Sequence, residues 1–337
     1  MRVWHVIRSD RMLFSSAIAA LVLVLAITIG PPVLTRILGH SSDTPLPYAT
    51  DPIRHVPVGP FSHVWNTTEE YTDNSGYIRT DPPKGTDKTW LILGADGTLG
   101  RDELLRVLEG GRTSLEVAIG GTIVAMAIGA FLGTLAGFMG GFVDAAISRL
   151  TEFVMAFPLL LLVIAIGSQS SNRLDYITVG GLFPQGVVSL VLLIGVFTWF
   201  YPARIIRTQV ATLRQSEFVE AAVMVGARDR RILRTHIFPH VLPTAIIYTT
   251  LLIPVNILLE AGITFLGVGI KLPTPSWGNL LGTVWGSVLN PVTTASSLQS
   301  QIWLTIVPSA MIFITVFTFN QLSEGLREAF DAETRGA

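Results

Sequence analysis

Six stretches of the chain are predominantly apolar and about as long as a bilayer is thick: residues 13–34, 115–138, 145–167, 187–205, 241–265 and 302–321. At 1.5 Å of rise per residue, roughly 20 residues cross a hydrocarbon core of ~30 Å, and inside that core a helix satisfies its own backbone. The pattern predicts an all-α integral membrane protein with about six transmembrane helices. Pro254, Asn256 and Glu260 interrupt the fifth run, so a bend or break is expected there. The first run follows a short basic tail, is too long for the core of a cleaved signal peptide, and reads as a retained span over 12–34.

The polar positions between the runs set the sidedness. Lys and Arg of short loops favour the cytoplasm, and they concentrate in the tail 1–11 (Arg2, Arg8, Arg11) and in the segment Arg204–Arg234. Connections 168–186 and 270–301 carry only Arg173 and Lys271, which suits the far side. Both termini, 1–11 and 322–337, are then cytoplasmic, and the transmembrane core is 115–321 with a cytoplasmic loop at 206–240. Residues 35–114, rich in Pro, Gly, Asp and Thr, form a large extracytoplasmic segment between the first two helices. Its His55, His63 and Trp65 read as solvated loop residues rather than a ligand site.

Composition narrows the function. Hydrophobic residues make up 50% of the chain and charged residues 14%, with a mean hydropathy of +0.55; a net charge of -1 offers no general field for nucleic acid. There is no cysteine, which removes disulfides, thiolate metal sites and cysteine nucleophiles. The lysines are Lys84, Lys88 and Lys271, and none stands in a G-x-x-x-x-G-K-[ST] phosphate loop. His236 and His240 are four apart, but Pro239 between them disturbs the helical face that a shared metal needs. The expectation is no catalytic residue, no metal and no bound cofactor, so any work driven by ATP hydrolysis would need another polypeptide.

The stretch Arg204–Pro243 is the informative one. Arg204, Arg207, Arg214, Arg228, Arg230, Arg231 and Arg234 crowd it, and Phe218, Ala221, Ala222 and Val225 have helical spacing ahead of Gly226. A short amphipathic helix ending at that glycine, then a second helix, is the predicted local structure. Gly129, Gly133 and Gly137 recur every four residues in the second span and leave one helix face open to close packing within the chain. Glu116, Asp144 and Glu152 fall near predicted helix ends, within reach of water, a cap, Arg112 or Arg149. Asn256 and Glu260 are deeper and stand as pathway or structural candidates, with a hydrogen bond from Glu260 to a broken fifth span the favoured role.

Glu220-Ala221-Ala222, then Gly226, then Pro239 resembles the EAA loop of ATP-binding-cassette (ABC) importer permeases. Two positions that are Ile and Leu in the family are His236 and Phe238 here; the histidine is similar to the peptide-transporter branch, and the phenylalanine stays apolar. Leu99-Gly100-Arg101-Asp102 with Leu104 to Leu108, Gly111-Arg112 and Ser114-Leu115 resembles the motif before the second span of the C-type subunit of dipeptide and oligopeptide permeases. Glu260-Ala261, Phe265-Leu266-Gly267, Gly269 and Pro275-Ser276-Trp277-Gly278 are similar to the same branch.

The resemblance implies a type I, MetI-like permease in a bacterial inner membrane. It also implies a coupling helix seated on a cytoplasmic ATPase, with Glu220, Ala221, Ala222, Gly226, Arg228, Arg230, Arg231 and Pro239 in the coupling loop. The implied partners are a homologous permease, one or two ABC ATPases that hold ATP and Mg, and an extracytoplasmic substrate-binding protein. The implied cargo is a di- or oligopeptide, with nickel, glutathione or another small solute as the alternative. A secondary transporter, which works alone, calls for inverted repeats and charged residues at a midplane site; no repeat is evident and only Glu260 lies near that depth.

Overall fold

The computed structural model describes residues 11–50, 57–69, 86–96, 99–174, 183–288 and 302–335. Arg2, Arg8, His55, Lys84 and parts of the connections 168–186 and 270–301 lie outside the described residues.

The first apolar run is helix α1, Arg11–Leu38, and the second is α2, Glu103–Met139. α2 starts well before residue 115 because Asp102 caps it: its Oδ1 accepts from the amides of Leu104 (2.9 Å) and Leu105 (3.3 Å). Glu116 therefore sits in a helix interior, not near a helix end as expected. The third run is not one span-length rod. It is α3, Gly141–Met155, and α4, Leu159–Leu174, bent by 84° where Pro158 cannot donate a backbone bond. The fourth divides into α5, Val187–Thr198, and α6, Phe200–Arg214, with a 42° bend one turn before Pro202.

After the short helices α7, Glu217–Met224, and α8, Asp229–Ile232, a π-helical turn over Leu233–Ile237 leads into α9, Phe238–Phe265. α9 corrects the expectation of a broken fifth span. Pro243 and Pro254 lie inside one continuous helix, since a single missing donor in a membrane helix is tolerated when the flanking turns hold. Helices α10, Trp277–Val288, and α11, Ile302–Arg335, complete the described chain. Among the described residues, four helical stretches are long and apolar enough to cross a bilayer, and the count is up to six if each bent pair is one span.

The segment between α1 and α2 holds strands β1, Ser62–Trp65, and β2, Lys88–Leu91, paired antiparallel, and the two-residue strands β3, Ala95–Asp96, and β4, Arg101–Asp102. Alternation is the reason: Val64, Thr89 and Leu91 point inward, and Leu46, Ala49 and Ala95 join Val64 and Leu91 in a small core. Buried ions tie this segment to the start of α2. Arg101 is bidentate on Asp96 (Nε to Oδ1 3.2 Å and Nη2 to Oδ2 2.6 Å), Arg106 lies 2.8 Å from Asp96 and 3.0 Å from Asp43, and His40 Nε2 is 3.0 Å from Asp102 Oδ2.

By packing, the chain forms two compact units: Met1–Ala20 with Glu116–Glu260 and Thr315–Ala337, and Leu21–Leu115 with Ala261–Ile314. In the first, the open face of α2 receives α6. A Cβ on Gly129, Gly133 or Gly137 would lie 2.6, 2.5 or 2.5 Å from the carbonyl oxygen of Trp199, Ala203 or Arg207, so the two backbones touch along three turns.

Candidate functional site

The chain leaves α6 at Arg214 and turns through Ser216, whose extended backbone ends one helix and starts the next. The Ser216 carbonyl accepts from the amides of Val219 (3.0 Å) and Glu220 (3.1 Å), and Glu217 and Glu220 in the first turn complement the positive end of α7. At the far end the amide of Gly226 donates to Val223 O (2.9 Å) and that of Ala227 to Ala222 O (3.0 Å). This paired closure is a Schellman motif, which requires a left-handed residue, and Gly226 has φ 83°. A Cβ at 226 would meet nothing within 4 Å, so the constraint is the dihedral and not space. Ala222 and Ala227, the two positions that such a motif brings into contact, pack on one apolar cluster.

That cluster decides which way α7 faces. Val219 is buried in it with Met126, Ile206, Val210, Ile232, Ile237, Val241 and Leu252. The predicted stripe of Phe218, Ala221, Ala222 and Val225 is not the buried one: only Ala222 turns inward, while Phe218 and Val225 are 40% and 89% exposed. With Glu220, Ala221, Val223 and Met224 also exposed, the helix presents a small, largely apolar tip to solvent. A recess of about 580 Å³ beside it is lined by Phe138, Arg214, Glu220, Val223, Met224 and Asp229. Phe218 stacks on His240 (centroids 5.3 Å apart, planes at 21°) and approaches His236 at 6.3 Å. His240 Nδ1 lies 2.7 Å from the His236 carbonyl, so these rings serve packing and backbone contacts.

Arg228, Arg230, Arg231 and Arg234 are exposed, and none forms an ion pair among the described residues. Arg207 differs. It donates from Nη2 to Asp144 Oδ2 (2.7 Å) and from Nε to Asp144 Oδ1, joining α6 to α3. Asp144 lies in the first turn of α3, near a helix end as expected, and Arg149 pairs with Glu152 at 2.7 Å, one of the pairings the sequence allowed; the Arg207 partner was not anticipated. The π turn was also missed, although Pro239 was a signal for it. In a regular helix the ring of Pro239 would press on the carbonyl of Thr235; the widened turn, closed by Phe238 N–H to Leu233 O, relieves this.

The two other motif blocks meet in the second unit. Trp277 Nε1 donates to Val107 O (2.9 Å) and the Trp277 amide to Ser114 Oγ (3.2 Å). A Cβ on Gly111 would lie 2.6 Å from the Trp277 ring, and one on Gly278 2.6 Å from Ala261 O. These glycines are thus places where a ring or a backbone comes too close for a side chain. Asn256 and Glu260 are fully buried on α9, away from the exposed tip. Asn256 Nδ2 donates to Thr122 Oγ1 at 2.9 Å. The expected bond from Glu260 to a broken span loses its basis, because the backbone there is unbroken.

A family model described as binding-protein-dependent transport system inner membrane component matches residues 129–336. The oligopeptide transport system permease protein OppC of Haemophilus influenzae is 33% identical over 271 residues, 80% of this chain and 79% of that protein. OppC of Escherichia coli K12 is 36% identical over 243 residues, 72% of each chain. The glutathione transport system permease protein GsiD of Pectobacterium atrosepticum is 33% identical over 243 residues, 72% of this chain and 73% of that protein.

Proposed function

The chain belongs to the family of binding-protein-dependent transport system inner membrane components, and from that premise we propose that it forms half of the translocation pathway of an ABC importer for di- or oligopeptides, driven by a separate cytoplasmic ATPase that docks on α7. The observation that carries this reading is the exposed tip Ala221–Val225, held by the Gly226 closure and followed by arginines with no ion pair of their own. An apolar knob with charge-assisted donors beside it suits a groove with acidic walls on a partner. Glu220 and Ala221 give the close-approach surface, Ala222 seats the helix on the Val219 cluster, Gly226 sets its end, and Arg228, Arg230 and Arg231 contact the partner's acidic groups.

A homologous permease supplies the other half of the pathway, and a substrate-binding protein delivers cargo from the extracytoplasmic side. ATP and Mg are held by the ATPase and no cofactor by this chain. Closure of the ATPases on ATP moves α7, and because α7 packs with α2, α6 and α9 through the Val219 cluster, the spanning helices shift with it. Nucleotide state then biases which side of the membrane the pathway faces. The oligopeptide permeases among the relatives support peptide cargo, and the glutathione permease supports a second reading, import of glutathione or a similar small solute. Both termini and the α7 region are cytoplasmic.

The test is co-purification from detergent-solubilised membranes, native chain against the Glu220→Arg, Gly226→Asp double variant. The expected result is an ATPase that accompanies the native chain and is lost with the variant, while the permease partner stays and so certifies folding. An ATPase absent from the native preparation under every condition tried overturns the assignment.

A further inference from the structure

The outer face of the β1–β2 pair is not used by the reading above. His63 and Trp90 are direct cross-strand partners with ring centroids 3.8 Å apart, and the Lys88 ammonium lies 4.2 Å over the Trp65 ring. The two-residue alternation places Phe61 and Ile92 on the same side, joined by the Phe61 amide donating to Ile92 O at 3.1 Å. Phe61, Trp90 and Ile92 are 73%, 50% and 37% exposed. Phe61 also takes φ 58°, a left-handed conformation that bulky residues avoid and that persists only where the surroundings impose it. With these exposures, the pair turns an aromatic, apolar face away from the small core of Leu46, Ala49, Val64, Leu91 and Ala95.

The anchoring of this sheet says which occupant. Asn66 Nδ2 and Thr89 Oγ1 both donate to the carbonyl of Leu38, at 3.4 Å each, and Leu38 is the last residue of α1. The apolar run 13–34 of that helix is about 33 Å long at the usual rise, enough for the ~30 Å hydrocarbon core, and Leu38 lies four residues, about 6 Å, beyond it, within the ~40–45 Å that includes the headgroups. Its end therefore lies in the headgroup layer, and the sheet bonded to it lies at that depth. Tryptophan, phenylalanine and a lysine with an apolar stem are the side chains that partition there. We propose that the outer face of the β1–β2 pair, formed by Phe61, His63, Trp65, Lys88, Trp90 and Ile92, is an interfacial anchor that rests on the bilayer, with its rings among the lipid headgroups and Lys88 on their phosphates. The anchor fixes the polar segment against the membrane surface and does not depend on cargo or on the ATPase.

Because the chain has no cysteine, single-cysteine variants report cleanly. Phe61→Cys, Trp90→Cys and the exposed control Thr68→Cys are spin-labelled in the full-length protein in phosphatidylethanolamine–phosphatidylglycerol nanodiscs. Accessibility to oxygen, which enters lipid, is compared with that to a nickel chelate, which stays in water. Phe61→Cys leaves the His63–Trp90 stack intact, so the two positions check one another. The expected result is a raised oxygen-to-nickel ratio at 61 and 90 relative to 68. Nickel access at 61 and 90 equal to that at 68 overturns the proposal, and so does low access to both reagents, which means the face is covered by protein. Nickel access that falls only when a purified substrate-binding protein is added assigns the face to that protein instead.

Discussion

Gly226 and Gly133 show two different reasons for a missing side chain, and they predict different outcomes. At Gly226 space is open and φ is 83°, so the penalty for an L side chain is the left-handed backbone, about 1–2 kcal/mol. Asparagine tolerates that conformation and valine does not. Gly226→Asn is expected to keep ATPase co-purification and Gly226→Val to lose most of it, with equal yield of folded protein. At Gly133 the obstacle is the Ala203 backbone 2.5 Å from a new Cβ, and overpacking of that kind costs about 1–3 kcal/mol. Gly133→Ala should lower the unfolding temperature in detergent, whereas Gly59→Ala, with nothing within 4 Å of its Cβ and no left-handed backbone, should lower it by less. The Gly226 closure was legible because a helix end is a local affair of six residues. The Arg207–Asp144 pair was not, since its partners are 63 positions apart and no spacing rule connects them.

Prolines make the same point for elements. Hydropathy located all six apolar runs but could not say which would be straight. Pro158 breaks one at 84° and Pro254 breaks nothing, because the outcome rests on whether neighbouring turns and packing make good the lost bond. The face of α7 that packs was not legible in the same way. Four apolar positions at helical spacing predicted an amphipathic helix without saying which face is buried, and the cluster behind the helix takes in Val219 and Ala222 while Phe218 and Val225 face out. Pro239 offers the direct test. If its ring causes the π turn Leu233–Ile237, Pro239→Ala lets that turn tighten to an α-helical one, which rotates α9 by about one residue, ~100°, relative to α8. The distance between spin labels at the exposed positions Met224 and Leu258 is expected to change in this variant. An unchanged distance assigns the turn to packing around Ile237 and Val241 instead.

For the molecule as a whole, the helical membrane class followed from composition and hydropathy, but the small β structures did not: β3 and β4 are two residues each, below what alternation can signal. What organises them is charge. Arg106 is fully buried with Asp96 at 2.8 Å, so Arg106→Met leaves a carboxylate without one of its cations and should cost about 3–5 kcal/mol. The exposed Arg149–Glu152 pair should contribute nothing measurable when Arg149→Ala removes it. Thermal unfolding of the two variants in detergent makes the comparison.

Charge also sets orientation. The arginines of the α6–α9 region are expected to resist transfer across the membrane, while the segment after α1 is too long for its cations to decide anything. A chain without cysteine makes this directly measurable. Met224→Cys and Thr68→Cys, both at exposed positions, are treated with a membrane-impermeant maleimide on intact spheroplasts. Thr68→Cys should label at once and Met224→Cys only after permeabilisation. The reverse pattern would put the α7 tip outside, where no ATPase can reach it, and the coupling role of Glu220 to Gly226 would fall with it.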